Sequence, residues 1–423
     1  MALTALFVGA SGLTANSTAL DVVGNNLANI NTTGYKNQRT LFRDTVYQTL
    51  SAGSGSVANV GGTNPQQIGF GVGIQSIDTQ FQQGNLNPTG RSLDAGIQGD
   101  GFFVLSDGTK NVFSRAGSFS VDSQGYLIDP SSGFRVQRFG AVGEGTGPGT
   151  GFQVAGDNRI KVPFGTGMAG VPTTTVNLRG NLSADTGGFP VGTTARQQAT
   201  IQVYDSLSGP QTLNLTFTKT ATNQFTVAGT ITGGGTVAVP ATPITFDTSG
   251  NLTSPATLPV TVTGIPGASA QTITLNLGTV GRSDGLSGRG EATTVSAITQ
   301  DGSASGTLTG VSYDQDGTVQ GVFSNGRTTP LAQLAIAGFN NQGGLLRQGQ
   351  NYFVTSAASG EALIGPAASG GRGTVVGGTL EGANVDIAIE FSRLIVAQRG
   401  FQVNARTITA ANETLQELAN IIR

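Results

Sequence analysis

Two stretches of helical periodicity stand at opposite ends of this chain, and the long middle between them is patterned for strands. Near the start, Leu6, Leu13, Leu20 and Leu27 recur at every seventh residue, with Leu3, Ala10, Ser17 and Gly24 in the alternating row. Near the end, Ile387, Leu394, Phe401, Ile408, Leu415 and Ile422 keep the same interval, and Phe391, Gln398, Ala405, Asn412 and Ala419 fill the second row. A large apolar ridge beside a small or polar row is the pattern of helices that pair with knobs in holes. A β-rich chain offers neither helix a helical layer to pack on, so the two are expected to pair with each other. That pair still leaves apolar surplus. Val22, Val23, Val396, Val403 and Ile421 lie off the ridges, which points to burial against further copies of the chain.

The helix limits are signalled locally. Asn29-Ile30-Asn31-Thr32-Thr33-Gly34 favours caps and turns and should end the first helix. Asn384 or Asp386 opens the second, with Glu390 in its early turns and Arg423 at its end, both favourable to the helix dipole.

The middle reads as all-β. Gln211–Thr218 and Gln271–Leu277 alternate apolar and polar residues, as half-buried strands do. Residues 186–283 carry only Arg196, Asp205, Lys219, Asp247 and Arg282 as charges, and the stretch reads as a separate β domain inserted into another. A recurrent motif, apolar-Asp/Asn-x-x-Gly-x-aliphatic, appears at Val121–Leu127, Phe246–Leu252, Tyr313–Val319 and Phe339–Leu345. It predicts hairpins in which Asp or Asn opens the turn and Gly takes the positive φ. Asp314-x-Asp316-Gly317 is a poor calcium loop, because its Gly comes too early and its twelfth position is Asn325 rather than Glu.

Composition narrows the function classes. The 423 residues contain no Cys, His or Trp, which removes the Ser-His-Asp triad, thiol nucleophiles and ordinary zinc sites. The net charge of −2 gives no basic field for nucleic acid. Asp94, Asp100 and Asp107 lie close in sequence, yet Asp100 and Asp107 each precede Gly and read as turn formers better than as a glycosidase pair. The glycine runs Gly69–Gly73 and Gly143–Gly149 lack the Lys-Ser/Thr of a phosphate loop. No basic residue precedes Lys36, against a cleaved signal peptide, and no apolar run is long enough to span a membrane. Neither cofactor nor metal is expected, nor is catalysis.

One stretch is more specific than any of this. Val22-Val23-Gly24-Asn25-Asn26-Leu27-Ala28-Asn29-Ile30-Asn31-Thr32-Thr33-Gly34-Tyr35-Lys36 resembles the N-terminal signature of bacterial flagellar rod and hook proteins. The carrying positions are Asn25, Asn26, Leu27, Ala28, Asn29, Thr33, Gly34, Tyr35 and Lys36. Independently, Glu381–Asp386 and Ile395-Val396-Ala397-Gln398-Arg399-Gly400-Phe401-Gln402-Val403-Asn404-Ala405-Arg406 resemble the closing helix of that family, Gln398 and Arg399 included. The form of this segment is closer to the hook members than to the distal rod members. Gly99–Val104 and Asn351–Val354 resemble strands shared across the family, whereas residues 151–289 resemble nothing specific.

The resemblance implies a structural subunit of a curved, hollow helical tube that passes motor torque from rod to filament. Its implied partners are further copies of itself, the rod, the hook cap, the hook–filament junction proteins and the flagellar export apparatus. The implied location is outside the cell, reached without a cleaved signal peptide. A distal rod or hook-junction protein of the same family is the nearest alternative, and a Thr/Gly-rich surface adhesin is the alternative from another class. The expected fold is mostly β with helical termini, its end helices forming an inner coiled-coil-like pair and its β domains nested and discontinuous. The expected division is 1–30 with 385–423 as the helical domain, 31–70 with 363–384 as a linking segment, 71–150 with 290–362 as a β domain, and 151–289 as an inserted outer β domain. The helix-seam residues Leu6, Leu13, Leu20, Leu27, Ile387, Phe391, Leu394, Phe401, Ile408, Leu415 and Ile422 are the expected assembly positions. Ser51–Ser56 is expected to lie in an adjustable joint between helix and β domain.

Overall fold

The structure is a computed structural model that describes residues 2–56, 61–145, 151–184 and 194–421. It is mostly β with one long helix at each end. The first helix, α1, spans Ala2–Ala28, and the second, α2, spans Ile387–Ile421. Asp386 caps α2, its carboxylate accepting from the amides of Ala388 at 2.8 Å and Ile389 at 3.1 Å. Past Ala28 the chain turns, with the Thr32 amide donating to the Asn29 carbonyl, and Gly34 adopts φ +69°. A Cβ at Gly34 would stand 2.7 Å from the Ala116 nitrogen, so position and backbone both demand glycine. Ile422 and the side chain of Ile421 lie outside the described residues.

Residues 38–56 and 61–79 form a long antiparallel ribbon beside α1. Gln38–Asp44 pairs with Val72–Thr79, and Tyr47–Ser51 pairs with Gln66–Gly69. Ser54 and Thr63 close a further bridge beyond that ladder. Ser51–Ser56 therefore lies towards the far end of a ribbon and does not connect helix to β domain, which corrects the sequence expectation. The connection is made by residues 30–37, 80–86 and 381–386.

The inner β body is built from two sheets around one core. In the first, Phe102–Ser106 lies between Asn111–Ser114 and Arg135–Val136. The second orders Gly167–Met168, Gly306–Tyr313, Thr318–Phe323 and Thr328–Gln333 side by side. Phe103 and Leu105 point into the core shared with Leu308, Val319, Phe323 and Leu331. Phe102 and Val104 point the other way, into a second cluster with Phe113, Phe339 and Phe353. Burial on both faces explains why Phe102–Leu105 is a continuous apolar run where a half-buried strand would alternate.

The outer unit is a sandwich with its own core. Thr175–Asn181 pairs in parallel with Gln271–Asn276, and a five-stranded sheet begins Thr194–Tyr204, Pro210–Ala221, Gln224–Ile231. Leu213, Leu215 and Phe217 from one sheet meet Val176, Ile273 and Leu275 from the other, all buried. The alternation in both segments thus marks their inward faces. Ile160, Val162 and Met168 belong to the inner core, so the outer core begins at Val176 rather than near 151.

The recurrent turn motif folds alike at three of its four sites. At Asp122, Asp247 and Asp314 the Asp amide donates to the carbonyl four residues on, and the motif Gly returns a bond to the Asp carbonyl. The three glycines sit at φ +86°, +80° and +83°. The fourth site differs: Gln342–Gly344 forms a 3-10 turn, with the Gly344 amide donating to the Asn341 carbonyl, one residue later in the motif than at the other three sites.

Candidate assembly surface and the joint behind it

The two helices run antiparallel in close contact, and their line of closest approach is set by small residues. On α1 the buried row is Gly9, Gly12, Ala15, Ala19, Val22, Val23 and Asn26, while Leu6, Leu13, Leu20 and Leu27 flank it half-buried. On α2 the inward residues are Glu390, Leu394, Ala397, Phe401, Asn404, Ile408, Ala411 and Leu415. The α2 ridge from Leu394 to Leu415 lies on the side of α1, and its companion row lies one position earlier than the sequence suggested. Phe391, Gln398 and Asn412 are exposed, and so is Ile387. Val22 and Val23, expected to await other copies, are covered within the chain by the α1–α2 contact and the ribbon.

Backbone approach is close where side chains are missing. A Cβ at Gly9 would stand 2.8 Å from Ile408 Cγ1, and one at Gly12 would stand 2.5 Å from Asn404 Oδ1. Away from this seam the pair presents bare apolar side chains. Phe7 is 63% exposed, Val396 70% and Val403 62%, with Ile387, Ile389, Phe391 and Ile395 each about half exposed. An open groove of about 710 Å³ runs between the pair and the ribbon, lined by Val22, Val23, Phe42, Ile389, Val396 and Ala397 among others.

Behind this surface a buried polar joint ties both helices to the inner body. Glu381 and Lys36 are fully buried and meet at 2.7 Å between Oε1 and Nζ. Arg115 approaches the other carboxylate oxygen at 3.4 Å, and the Gly84 amide donates to Glu381 Oε1 at 2.9 Å. Lys36 also donates to the Gln82 carbonyl at 2.8 Å. Burial pulls the Lys36 ammonium below its usual value, with Glu381 opposing that fall and Arg115 adding to it. Burial likewise lowers Arg115.

The family-motif residues extend the joint towards the helices. Asn26, fully buried, donates to the Gln38 carbonyl at 2.8 Å and to Glu390 Oε2 at 3.1 Å, and accepts from the Gln38 amide and the Tyr35 hydroxyl. Glu390 also holds Arg393 at 2.6 Å. Asn25 reaches the Tyr35 hydroxyl, and Asn29 donates back to the Asn25 carbonyl. The Thr33 carbonyl accepts from Asn351, and the Gly34 amide donates to the Glu381 carbonyl. Arg347 lies over the Tyr35 ring at 5.1 Å and donates to the Lys36 carbonyl. Burial raises the Tyr35 hydroxyl above its ordinary value. Of the remaining motif positions, Leu27 is half-buried, and Ala28, Gln398 and Arg399 face outward.

Glu381, Arg115, Arg347 and Asn384 do not emerge from the sequence as site residues. Asn384 bridges the ribbon base, accepting from the Asn37 amide and donating to the Gln80 and Gln82 carbonyls. Glu390, read as a helix-dipole residue, is spent on Asn26 and Arg393. One signal was available: seven Glu in 423 residues makes each a candidate for a fixed role.

Paired terminal helices and nested β units belong here to a protein of the flagellar axis, as family models that match in chain order show. Residues 6–36 match the flagella basal body rod protein model, and 96–184 match the flagellar hook protein FlgE/F/G D1 domain. Residues 189–318 match the flagellar basal body protein FlaE D2 domain, and 376–421 the flagellar basal body rod FlgEFG protein C-terminal model. Flagellar hook protein FlgE of Treponema pallidum is 37% identical over 99% of both chains. That of Salmonella typhimurium is 35% identical over 97% of this chain and 98% of its own. A solved Helicobacter pylori flagellar hook protein, FlgE2, shares 15% identity, covers 68% of this chain and 98% of its own, and overlaps it loosely at a TM-score of 0.38. The chain belongs to the flagellar hook protein family. It is a structural subunit of the hook, a self-polymerising part of the flagellum, and the adhesin alternative gains no support.

Proposed function

We propose that copies of this chain stack through their terminal helix pairs into a curved, hollow helical tube that carries torque from rod to filament. The observation that carries this reading is the bare apolar surface of a helix pair with no third helical layer among the described residues: Phe7, Ile387, Phe391, Val396 and Val403 are left to water in one copy. Identical copies related by a rotation that does not close form an open filament, with different patches meeting at each contact. The half-buried ridges from Leu6 to Leu27 and from Leu394 to Leu415 are completed by neighbouring copies in this arrangement. The rod, the hook cap, the hook–filament junction proteins and the export apparatus are the further partners. The role is mechanical, with no catalysis.

Val396→Asp and Phe391→Asp test the assembly surface. Each places a charge on a face that is exposed in the monomer, so the β units stay folded while polymerisation is lost. Sedimentation and electron microscopy read the polymer, and tyrosine near-ultraviolet dichroism reads the fold. Normal tubes from both variants would overturn the surface assignment.

A further inference from the structure

The helix seam contains the same short cassette twice, Gly12-x-x-x-Asn16 on α1 and Gly400-x-x-x-Asn404 on α2. The antiparallel crossing sets each asparagine against the other helix's glycine. A Cβ at Gly12 would lie 2.5 Å from Asn404 Oδ1, and one at Gly400 would lie 2.5 Å from Asn16 Oδ1. Neither asparagine is free to swing aside. Asn16 Nδ2 donates to the Gly12 carbonyl at 2.7 Å, and Asn404 Nδ2 donates to the Gly400 carbonyl at 2.8 Å. Each knob is thus tied to the glycine of its own helix while it fills the hole left by the glycine opposite. The same register holds further along, because ten residues on from Asn16 and ten back from Gly400 stand Asn26 and Glu390, in contact at 3.1 Å.

We propose that this reciprocal Gly–Asn lock sets the register of the terminal helix pair, and through it which residues the pair turns towards neighbouring copies; the second half rests on the assembly reading above. Heptad ridges cannot choose between registers one heptad apart, since the ridge repeats. The cassette can. After such a slip Asn16 faces Arg393 or Thr407, and Asn404 faces Ala5 or Ala19, all of which carry a Cβ where the knob needs space. Gly400 is the one glycine in the 35 residues of α2, at an interior position where glycine weakens a helix and alanine would strengthen it. The lock explains its presence.

The two accounts predict opposite signs for Gly400→Ala. The chain has no cysteine, so introduced pairs read register cleanly. In the full-length chain, Ala19→Cys with Ala397→Cys reports the native register as an intramolecular disulfide at monomer mass, and Ala15→Cys with Leu394→Cys reports a one-heptad slip. Gly400→Ala and Gly12→Ala should each cut the native cross-link several-fold and raise the slipped one. Asn16→Ala added to Gly400→Ala should restore the native product, the two methyl groups replacing knob and hole. Gly24→Ala, where a Cβ meets nothing within 4 Å, is the control and keeps the wild-type yield. An unchanged or higher native yield in Gly400→Ala, loss without rescue by Asn16→Ala, or a product at dimer mass would each overturn the lock. A native cross-link with the predicted variant pattern in a chain that fails to polymerise would uphold the lock and overturn the assembly reading.

Discussion

Glu381 holds two buried cations at once, and that asymmetry orders the effects of removing each member. Glu381→Gln leaves Lys36 and Arg115 in a dry site without their counter-charge, the situation that costs about 3–5 kcal/mol when a buried pair is broken. Lys36→Met takes away one cation but leaves the carboxylate paired with Arg115 and bonded to the Gly84 amide. The expected order in urea unfolding is therefore Glu381→Gln well below Lys36→Met, and Lys36→Met below wild type. Equal losses would show that Arg115 does not share the carboxylate. The sequence could show that Lys36 ends a turn, since Thr33-Gly34-Tyr35 announces one. It could not show the partner, which lies 345 residues away and meets Lys36 only because the inner body folds between them. Asn26 was legible as part of a motif, whereas its four hydrogen-bonding roles needed the ribbon and α2 in place.

Period and phase separate at the level of the helix. Repeats of seven announced both helices and their approximate limits, and on α2 the ridge residues Leu394, Phe401, Ile408 and Leu415 are half-buried. On α1 the largest residues suggested the seam, but contact distance favours the smallest, so the Gly9–Asn26 row takes the interface and the leucines flank it. Two rows with a common period look alike until the opposite helix is known. The ribbon was missed for a related reason: its exposed, largely polar outer strands carry no burial pattern to read. The joint grips one end of the helix pair through Asn26 and Glu390, and the ribbon supports α1 as far as Ser11, whose hydroxyl accepts from the Val72 amide; beyond that the two helices rest mainly on each other. Helices with little support are marginal in water. Hydrogen exchange on verified monomer should be fast at residues 2–7 and 409–421 and slower towards Asn26 and Glu390. Uniform strong protection along both helices would contradict the dependence on neighbouring copies.

For the whole molecule, the outer sandwich sets what neighbouring copies meet away from the helices. Residues 186–283 have five charges, and the fold hides two of them: Asp205 caps a turn and Lys219 is buried. Asp247 and Arg282 remain on the surface. A surface of Thr, Asn and Gly can change its contacts by small steps, whereas ion pairs resist sliding once formed. Placing several complementary charges on this sandwich should straighten or stiffen the assembled hook, measured as persistence of curvature in electron micrographs. Unaltered bending in such polymers would count against sliding contacts.

The chain enters the outer sandwich near Val171 and leaves it near Ser303, and the two crossings are stitched together where they pass, Val171 bridged to Ser303 and the Thr174 and Thr175 amides donating to Asp301. Entry and exit therefore lie side by side on the inner body. A branch joined at so narrow a stem can grow, shrink or be exchanged while the trunk keeps its shape. In a tubular polymer, girth and surface character are then free to diverge between relatives at little cost to bore or wall.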